Sequence, residues 1–245
     1  MRKTKVYPCI RVGDDAISPR VITCGDPARA EWISTKLEQS VCLAKNREFW
    51  TYLGTHRGEA VSIVSHGVGA GGAVTAFESL CRAGAKAIIR VGTCGGMQPE
   101  VKTHDIVVVT AACREDGVTD KMVYPSYPAV SDTEVVHALM AAASALDTPV
   151  HKGMILSQAL FYPGLLDSKV QFYAKAGVLA SENEVSGLLV TASLHGVKAG
   201  AIITADAPAF ELVGVEGYQL DEAALKQAIE KQIDIALDAI VQVEV

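Results

Sequence analysis

The sequence has no apolar run long enough to cross a membrane, and no apolar signal core follows its basic first five residues. It also lacks internal repeats, low-complexity segments and recognisable linkers. These absences argue against a membrane-bound protein and against a chain built from several modules. The length of 245 residues suits one large α/β domain or two small ones. Since no linker is found, we expect one domain over residues 1–245, and we expect no membrane partner.

The cysteines form no Cys-x-x-Cys pair, although the chain contains six of them. They are scattered as Cys9, Cys24, Cys42, Cys81, Cys94 and Cys113. This spacing is typical of reduced thiols in a cytosolic protein and favours neither a disulfide framework nor a zinc site. The sequence therefore predicts a cytoplasmic protein without a metal site.

Charged residues make up 20% of the chain, against 49% hydrophobic residues. This balance predicts a folded chain with a sizeable core rather than a disordered one. The net charge of −6 argues against a broad surface for nucleic acid, so we expect no nucleic-acid partner. It still permits a local basic pocket.

Predicted strands and helices alternate along most of the chain. Apolar and β-branched runs predict strands over residues 21–24, 50–55, 60–65, 86–91, 106–110, 152–157, 178–180 and 199–204. Helical spacing predicts helices over residues 27–37, 70–81, 133–145, 185–194 and 221–241. Asp26 is expected to cap the first of these helices and Asp132 the third. Residues 113–117 are expected to form a polar loop. The alternation predicts a single α/β domain with a central parallel or mixed β-sheet flanked by helices.

Residues 86–96 are predicted to form a buried strand followed by a tight turn at a cluster of glycines. Arg90 lies near the end of this strand, and arginine is almost never fully buried without a partner. Its guanidinium, the Thr93 hydroxyl and the free backbone N–H groups of the turn suit an anion site. The alternative is an arginine paired with an internal carboxylate, and on this stretch alone both interpretations stay open.

Residues that carry chemistry recur at or just after the ends of predicted strands. They are Gly25, Arg29, His66, Arg90, Thr93, Phe161, Glu184 and Asp206. Taken singly, each has an ordinary interpretation as a helix start, a core side chain or a solvated charge. In open α/β sheets, however, ligands bind at the edge where the carboxyl ends of the strands lie. Their recurrence therefore predicts a ligand site at that edge.

Six motifs together resemble the nucleoside phosphorylase family. They are Gly25-Asp26-Pro27-Ala28-Arg29, Asn46-Arg47-Glu48-Phe49, Ser65-His66-Gly67-Val68-Gly69, Arg90-Val91-Gly92-Thr93-Cys94-Gly95, Phe161-Tyr162-Pro163 and the pair Glu182 and Glu184. Within the family, the chain looks most like the hexameric purine nucleoside phosphorylases of apicomplexan parasites. The resemblance runs from about Pro8 to the final helix.

The resemblance implies phosphorolysis of inosine- or guanosine-type nucleosides to the free base and ribose 1-phosphate, as in purine salvage. Inorganic phosphate is then a co-substrate and no cofactor is needed. The implied phosphate site is Gly25, Arg29, Arg90 and Thr93, with Arg47 from a neighbouring subunit. The implied ribose site is Val68, Asn183 and Glu184, with Cys9 from a neighbour. The implied base site is Cys94, Gly95, Phe161, Ser181 and Glu182.

Two further features are implied by the resemblance. Asp206 is the general acid at N7 of the purine, so its carboxyl must be protonated at the moment of reaction, and burial is the simplest way to raise its pKa. The chain is expected to form a homo-oligomer, a hexamer arranged as a trimer of dimers.

The chain departs from the family's pattern at several positions around the nucleoside. Cys9 stands where the family has a histidine, and Asn183 replaces the methionine of a Glu-Met-Glu trio. Ser181 precedes that trio, where valine is common. No arginine follows Asp206, although bacterial members carry one. Leu212 falls where the parasite enzymes have a tryptophan.

Three other functions stay open. Phe161-Tyr162-Pro163-Gly164 also suits a uridine phosphorylase, but Leu165, Leu166 and Asp167 follow where that branch uses a glutamine and an arginine. A hydrolytic nucleosidase would not need the three arginines. A non-catalytic nucleoside-binding protein of the same fold is favoured only by the altered sugar site.

Overall fold

The structure is a computed structural model that describes residues 5–14, 16–162, 164–166, 169–210 and 221–245. The strands are β1 (Arg20–Cys24), β2 (Glu38–Asn46), β3 (Phe49–His56), β4 (Glu59–Ser65), β5 (Ala87–Gly96), β6 (Ile106–Glu115), β7 (Ala129–Val130), β8 (His151–Gln158), β9 (Ala180–Glu182) and β10 (Lys198–Pro208). The helices are α1 (Pro27–Ser34), α2 (Ala70–Arg82), α3 (Thr133–Ala145), α4 (Val170–Lys175), α5 (Val185–Leu194) and α6 (Glu222–Ile240).

The strands form one mixed sheet in the order β10-β6-β8-β9-β5-β1-β4-β3-β2, with β7 on β6. Because β10 also pairs with β5, the strands β5, β10, β6, β8 and β9 close into a ring. From β5 the sheet continues outward, first through the parallel neighbours β1 and β4 and then through the antiparallel β3 and β2. The α/β fold with a mixed central sheet is therefore confirmed.

Helices cover both faces of the sheet and bury an apolar core on each side. On one face, α2 and α5 contribute Phe77, Leu80 and Leu188, which are fully buried. On the other face, Leu139 of α3 and Ile233 of α6 belong to a second buried cluster. Within the described residues, no helix is long and apolar enough to cross a membrane.

Helix starts agree with the capping signals of the sequence. The Asp26 side chain accepts a hydrogen bond from the backbone N–H of Ala28 at 2.8 Å, with Pro27 at the first helical position of α1. Asp132 caps α3 in the same way, and the predicted bounds of α3 and α5 are correct. Helix α1 ends at Ser34, three residues earlier than predicted.

The tight turn predicted after Arg90 is wrong, because β5 continues as a strand to Gly96. Hydrogen bonding to β10 runs along its whole length, which holds even the glycines in extended backbone. The glycines instead permit close packing. A Cβ on Gly95 would lie 2.7 Å from Cα of Ala209, and one on Gly96 would lie 2.6 Å from the carbonyl oxygen of Val101.

Two further expectations are corrected. Residues 113–115 belong to β6 rather than to a polar loop, because they pair with β8 in parallel register. The elements β2, β7 and α4 were not predicted from the sequence, and β9 was predicted about two residues too early. β2 is an edge strand whose residues are mostly exposed, so it carries no apolar alternation that would reveal it.

Candidate active site

A cavity of about 260 Å³ opens where the carboxyl ends of β1, β5, β9 and β10 converge. It is lined by Gly25, Asp26, Arg29, Gly67, Val68, Arg90, Gly92, Thr93, Cys94, Gly95, Gln158, Phe161, Ser181, Glu182, Asn183, Glu184, Asp206, Ala207, Pro208 and Ala209. All the predicted site residues except Arg47, Cys9 and the strand-end residue His66 therefore line one cavity. The strand-end argument thus located the cavity.

The turns after β1 and β4 lie against each other at one side of the cavity. The backbone N–H of Gly67 donates to the carbonyl oxygen of Gly25 at 2.9 Å, and a Cβ on Gly25 would lie 3.2 Å from the carbonyl oxygen of Gly67. His66, predicted at the same strand end, is fully buried beside these turns, and burial lowers its pKa well below the usual value. It supports the cavity without lining it.

Arg90 lies at the centre of a buried ion-pair cluster. Its Nη2 donates to Oε2 of Glu184, and its Nη1 lies 3.5 Å from Oε2 of Glu182. All three residues are at most 5% exposed. Burial opposes the charge of Arg90, but the carboxylates of Glu184 and Glu182 raise its pKa. The interpretation of Arg90 as an arginine paired with internal carboxylates is confirmed. The anion site stays a prediction, although Arg90 also lines the cavity.

Two nitrogen atoms of the Arg90 guanidinium donate no hydrogen bond to a described residue. Among the described residues, no acceptor lies within hydrogen-bond geometry of its buried Nε or Nη1. Arg29 lies close enough for its charge to act on Arg90, and burial and then that guanidinium lower the pKa of Arg29. Two guanidiniums that lie close enough for their charges to interact form a positive region that favours an anion.

Glu184 is held in place by two donors. Its Oε1 accepts from the backbone N–H of Gly69 at 2.6 Å, and its Oε2 accepts from Arg90. An ionised carboxylate offers about four acceptor positions, so Glu184 retains acceptor capacity on its cavity side.

Glu182 faces the start of α5 rather than open space. Its carboxylate accepts hydrogen bonds from the Ser157 hydroxyl and from the backbone N–H groups of Glu184 and Val185. Burial raises the pKa of Glu182, and Arg90 opposes that shift. Since these groups occupy its oxygens, the contribution of Glu182 is to fix the start of α5, and a direct contact with a base stays a prediction.

Asp206 is presented by a β-bulge. The register of β10 on β5 pairs Ala205 with Cys94 and Ala207 with Gly95, so Asp206 is the extra residue. Bulges re-aim side chains beside functional sites. Burial raises the pKa of the Asp206 carboxyl, while a hydrogen bond from Thr93 and the charge of Arg29 act in the opposite direction. The site therefore holds a carboxyl group that resists ionisation next to an anion-attracting pair.

The residues before the bulge are fixed by a neighbouring turn. The backbone N–H of His104 donates to the carbonyl oxygen of Ala205 at 2.7 Å, and the N–H of Ala205 donates to Asp105 at 2.8 Å. This turn places His104 in the left-handed region, with φ at 75°.

The fold and the arrangement of these residues agree with known proteins. A family model described as the phosphorylase superfamily matches residues 19–242. The chain belongs to the phosphorylase superfamily.

Three relatives show how far the likeness to members of the phosphorylase superfamily extends. Purine nucleoside phosphorylase of Plasmodium falciparum (isolate 3D7) is 36% identical over 232 residues, 94% of each chain. The crystal structure of purine nucleoside phosphorylase from Toxoplasma gondii in complex with immucillin-H is 32% identical, with a TM-score of 0.88 over 98% of this chain and 97% of that one. The crystal structure of uridine phosphorylase from Vibrio fischeri ES114 has a TM-score of 0.90 and is 27% identical, over 99% of this chain and 100% of that one. The predicted resemblance is confirmed.

Two predicted residues lie outside the cavity of this superfamily member. Arg47 is exposed at the turn between β2 and β3, with φ at 54°. Cys9 packs on α2, with its Sγ 2.8 Å from Oγ of Ser79. Asn46 Nδ2 donates to the carbonyl oxygen of Cys9 at 2.7 Å, so the two segments lie next to each other. A role in a neighbouring subunit's site stays a prediction for both.

The residues predicted to form a base site differ in their exposure. Phe161 is 53% exposed and packs edge-on against Tyr162, with ring centroids 5.0 Å apart. Cys94 is buried, and burial raises the pKa of its thiol well above the usual value. The Ser181 hydroxyl is buried, with no hydrogen-bond partner among the described residues. Leu212, Pro163 and Asp167 lie outside the described residues.

Some lining residues were not predicted from the sequence. Asp26 was interpreted only as a helix cap, and Gly92 only as part of a turn. Gly92 permits the position of Arg90, because a Cβ there would lie 2.0 Å from Nη1 of Arg90. Gln158 ends β8 and has no local signal that points to a site. The described residues contain no group of three or more His, Cys, Asp or Glu side chains that could hold a metal ion.

Proposed function

We propose that this member of the phosphorylase superfamily cleaves purine nucleosides with inorganic phosphate, giving the free base and ribose 1-phosphate. One observation carries the proposal: two guanidiniums, an acceptor carboxylate and a carboxyl group with a raised pKa line one cavity. Relatives named purine nucleoside phosphorylase support the choice of a purine.

The phosphate would bind between Arg29 and Arg90, beside the Thr93 hydroxyl and the turn at Gly25. Guanidiniums bind phosphate oxygens through charge-assisted, often bidentate hydrogen bonds. An anion held there lies in the same cavity as Glu184, the expected sugar acceptor. The arginines would orient phosphate for attack on the anomeric carbon and balance its charge.

Glu184 would accept hydrogen bonds from the sugar hydroxyls. Its position is fixed by Arg90 and by the N–H of Gly69, so little side-chain entropy is lost when a sugar binds. Val68, which is 82% exposed and lines the cavity, would pack on the sugar.

Asp206 would protonate the leaving base. Cleavage of a glycosidic bond passes through an oxocarbenium-like sugar, and the electrons of the bond move to the base. A proton delivered to N7 prevents a free anionic base from forming and contributes roughly 10²- to 10⁴-fold in rate. The raised pKa of Asp206 favours the protonated form that this role requires.

The proposal includes a homo-oligomer, a hexamer in which Arg47 and Cys9 reach a neighbouring site. Both lie outside the cavity of their own chain and next to each other, which supports a shared role on another surface. A cytoplasmic location and a place in purine salvage belong to the same proposal. Phosphate and the acid supply the chemistry, so no cofactor is included.

Uridine phosphorolysis is the second candidate, favoured by the high structural similarity to a uridine phosphorylase. A third is hydrolysis, and a fourth is binding without turnover.

We would measure base release from inosine, guanosine and uridine, each with and without phosphate. Phosphate-dependent release of hypoxanthine or guanine supports the proposal. Release of uracil alone, release without phosphate, or binding without release each contradicts it.

A further inference from the structure

Asn183 occupies a position between the sugar acceptor Glu184 and the end of β8. It is half-buried and lines the cavity. Its Nδ2 donates to the backbone carbonyl oxygen of Gln158 at 2.6 Å. A carbonyl oxygen can only accept, so the amide must direct Nδ2 to Gln158, and its Oδ1 is directed away from that contact.

The amide oxygen of Asn183 is an unused acceptor. No described residue donates a hydrogen bond to Oδ1, and Oδ1 is not among the buried polar atoms that lack a partner. The adjacent Glu184 also accepts hydrogen bonds without donating any when ionised. Two neighbouring acceptors, one charged and one neutral, match a ligand with two adjacent hydroxyl donors.

We infer that Asn183 is a specificity-determining residue whose Oδ1 accepts a hydrogen bond from one hydroxyl of the sugar's vicinal diol. This inference rests on the proposed function and adds the sugar class: ribonucleosides are preferred to 2′-deoxyribonucleosides. An apolar side chain at this position can pack on the sugar but cannot accept a hydrogen bond from its hydroxyl group. A sugar that lacks the hydroxyl leaves Oδ1 unpaired, which is what makes such a site selective.

The test compares inosine with 2′-deoxyinosine in the wild-type protein and in Asn183→Leu. Leucine has nearly the same shape but no acceptor. We expect the ratio of kcat/KM for inosine to that for 2′-deoxyinosine to fall by about 3- to 10-fold in the variant, which corresponds to one net hydrogen bond. A purely structural effect would lower both values and leave the ratio unchanged.

Gln158→Leu is the matched control. It removes another amide that lines the same cavity but keeps the backbone carbonyl oxygen that holds Asn183. We expect the ratio in this control to equal that of the wild type. If Asn183→Leu does not fold, Asn183→Ala takes its place and the same fall in the ratio is expected.

An unchanged ratio in Asn183→Leu overturns the inference, as does an equal fall in Gln158→Leu. If the wild-type protein releases no base from inosine or from guanosine, the proposed function fails. Equilibrium dialysis then measures the affinities for inosine and 2′-deoxyinosine. A 3- to 10-fold fall in their ratio on Asn183→Leu still supports the role of Asn183, and equal ratios refute it.

Discussion

Substituting Arg90 by methionine tests whether the buried ion-pair cluster organises the site. Arg90 is 4% exposed and serves two carboxylates, Glu184 and Glu182, that are 4% and 5% exposed. Methionine keeps an unbranched apolar stem but removes the charge. The two carboxylates are then left buried without their common cation.

The expected loss of stability is large. Removing one partner of a buried ion pair costs about 3–5 kcal/mol, because the remaining charge is uncompensated. Whole domains are stable by only about 5–15 kcal/mol. With a urea slope of about 2–3 kcal/mol per molar, the unfolding midpoint of Arg90→Met should fall by about 1–2.5 M.

The deficit of Arg90→Met should depend on pH in a defined direction. Burial already raises the pKa of Glu182, and the loss of the guanidinium removes the charge that opposes this shift. An acid whose pKa is higher in the folded state than in the unfolded state does not lower the free energy of unfolding below its unfolded-state pKa, which is about 4.3 for glutamate. The loss of stability grows as the pH rises from that value through the folded-state pKa. The deficit should therefore be smaller at pH 5 than at pH 8.

Urea unfolding followed by circular dichroism at fixed protein concentration measures both effects. Arg82→Met is the matched control, since Arg82 pairs with Glu78 on the surface of α2 with the arginine side chain 60% exposed. Such a pair contributes about 0.3–0.5 kcal/mol. If Arg90→Met and Arg82→Met unfold at the same urea concentration at both pH values, the cluster does not have the importance assigned to it.

Three further substitutions follow from the geometry. Gly92→Ala should displace the Arg90 guanidinium and weaken phosphate binding at least 10-fold by calorimetry, while Gly71→Ala, with open space around its Cβ, should leave binding unchanged. Asp206→Asn should slow turnover roughly 10²- to 10⁴-fold and abolish the fall in kcat that the wild type shows as the pH rises through the raised pKa. His104→Gly should stabilise the fold by up to about 1 kcal/mol in urea unfolding by relieving a left-handed φ, and destabilisation would show that the imidazole makes a stabilising contact.

Local chemistry was predictable from the sequence because it depends on neighbours along the chain. Asp26 and Asp132 were assigned as helix caps, and both accept the expected backbone N–H bonds. The helix bounds of α3 and α5 followed from the same local signals. These features need no knowledge of the tertiary structure.

Strand ends were less predictable because pairing overrides local preference. Glycines after Arg90 suggested a turn, yet hydrogen bonds to β10 keep β5 extended to Gly96. Polar residues 113–115 suggested a loop, yet they pair with β8. Both errors arise because the strands that pair with these residues, β10 and β8, lie far away along the sequence.

The place of the site was predictable, but its internal contacts were not. Strand-end residues converge because carboxyl ends of neighbouring parallel strands share an edge. The partner of Arg90, Glu184, lies 94 residues along the chain, and nothing local selects it. Gln158 enters the cavity only because β8 ends beside β9.

Phosphorus NMR of the reaction mixture tests the central claim most directly. The purified protein is incubated with inosine and inorganic phosphate, and hypoxanthine is quantified in parallel. The account predicts that inorganic phosphate is converted to a sugar phosphate ester in an amount equal to the hypoxanthine released. Hypoxanthine release with free ribose and an unchanged inorganic phosphate signal would contradict it.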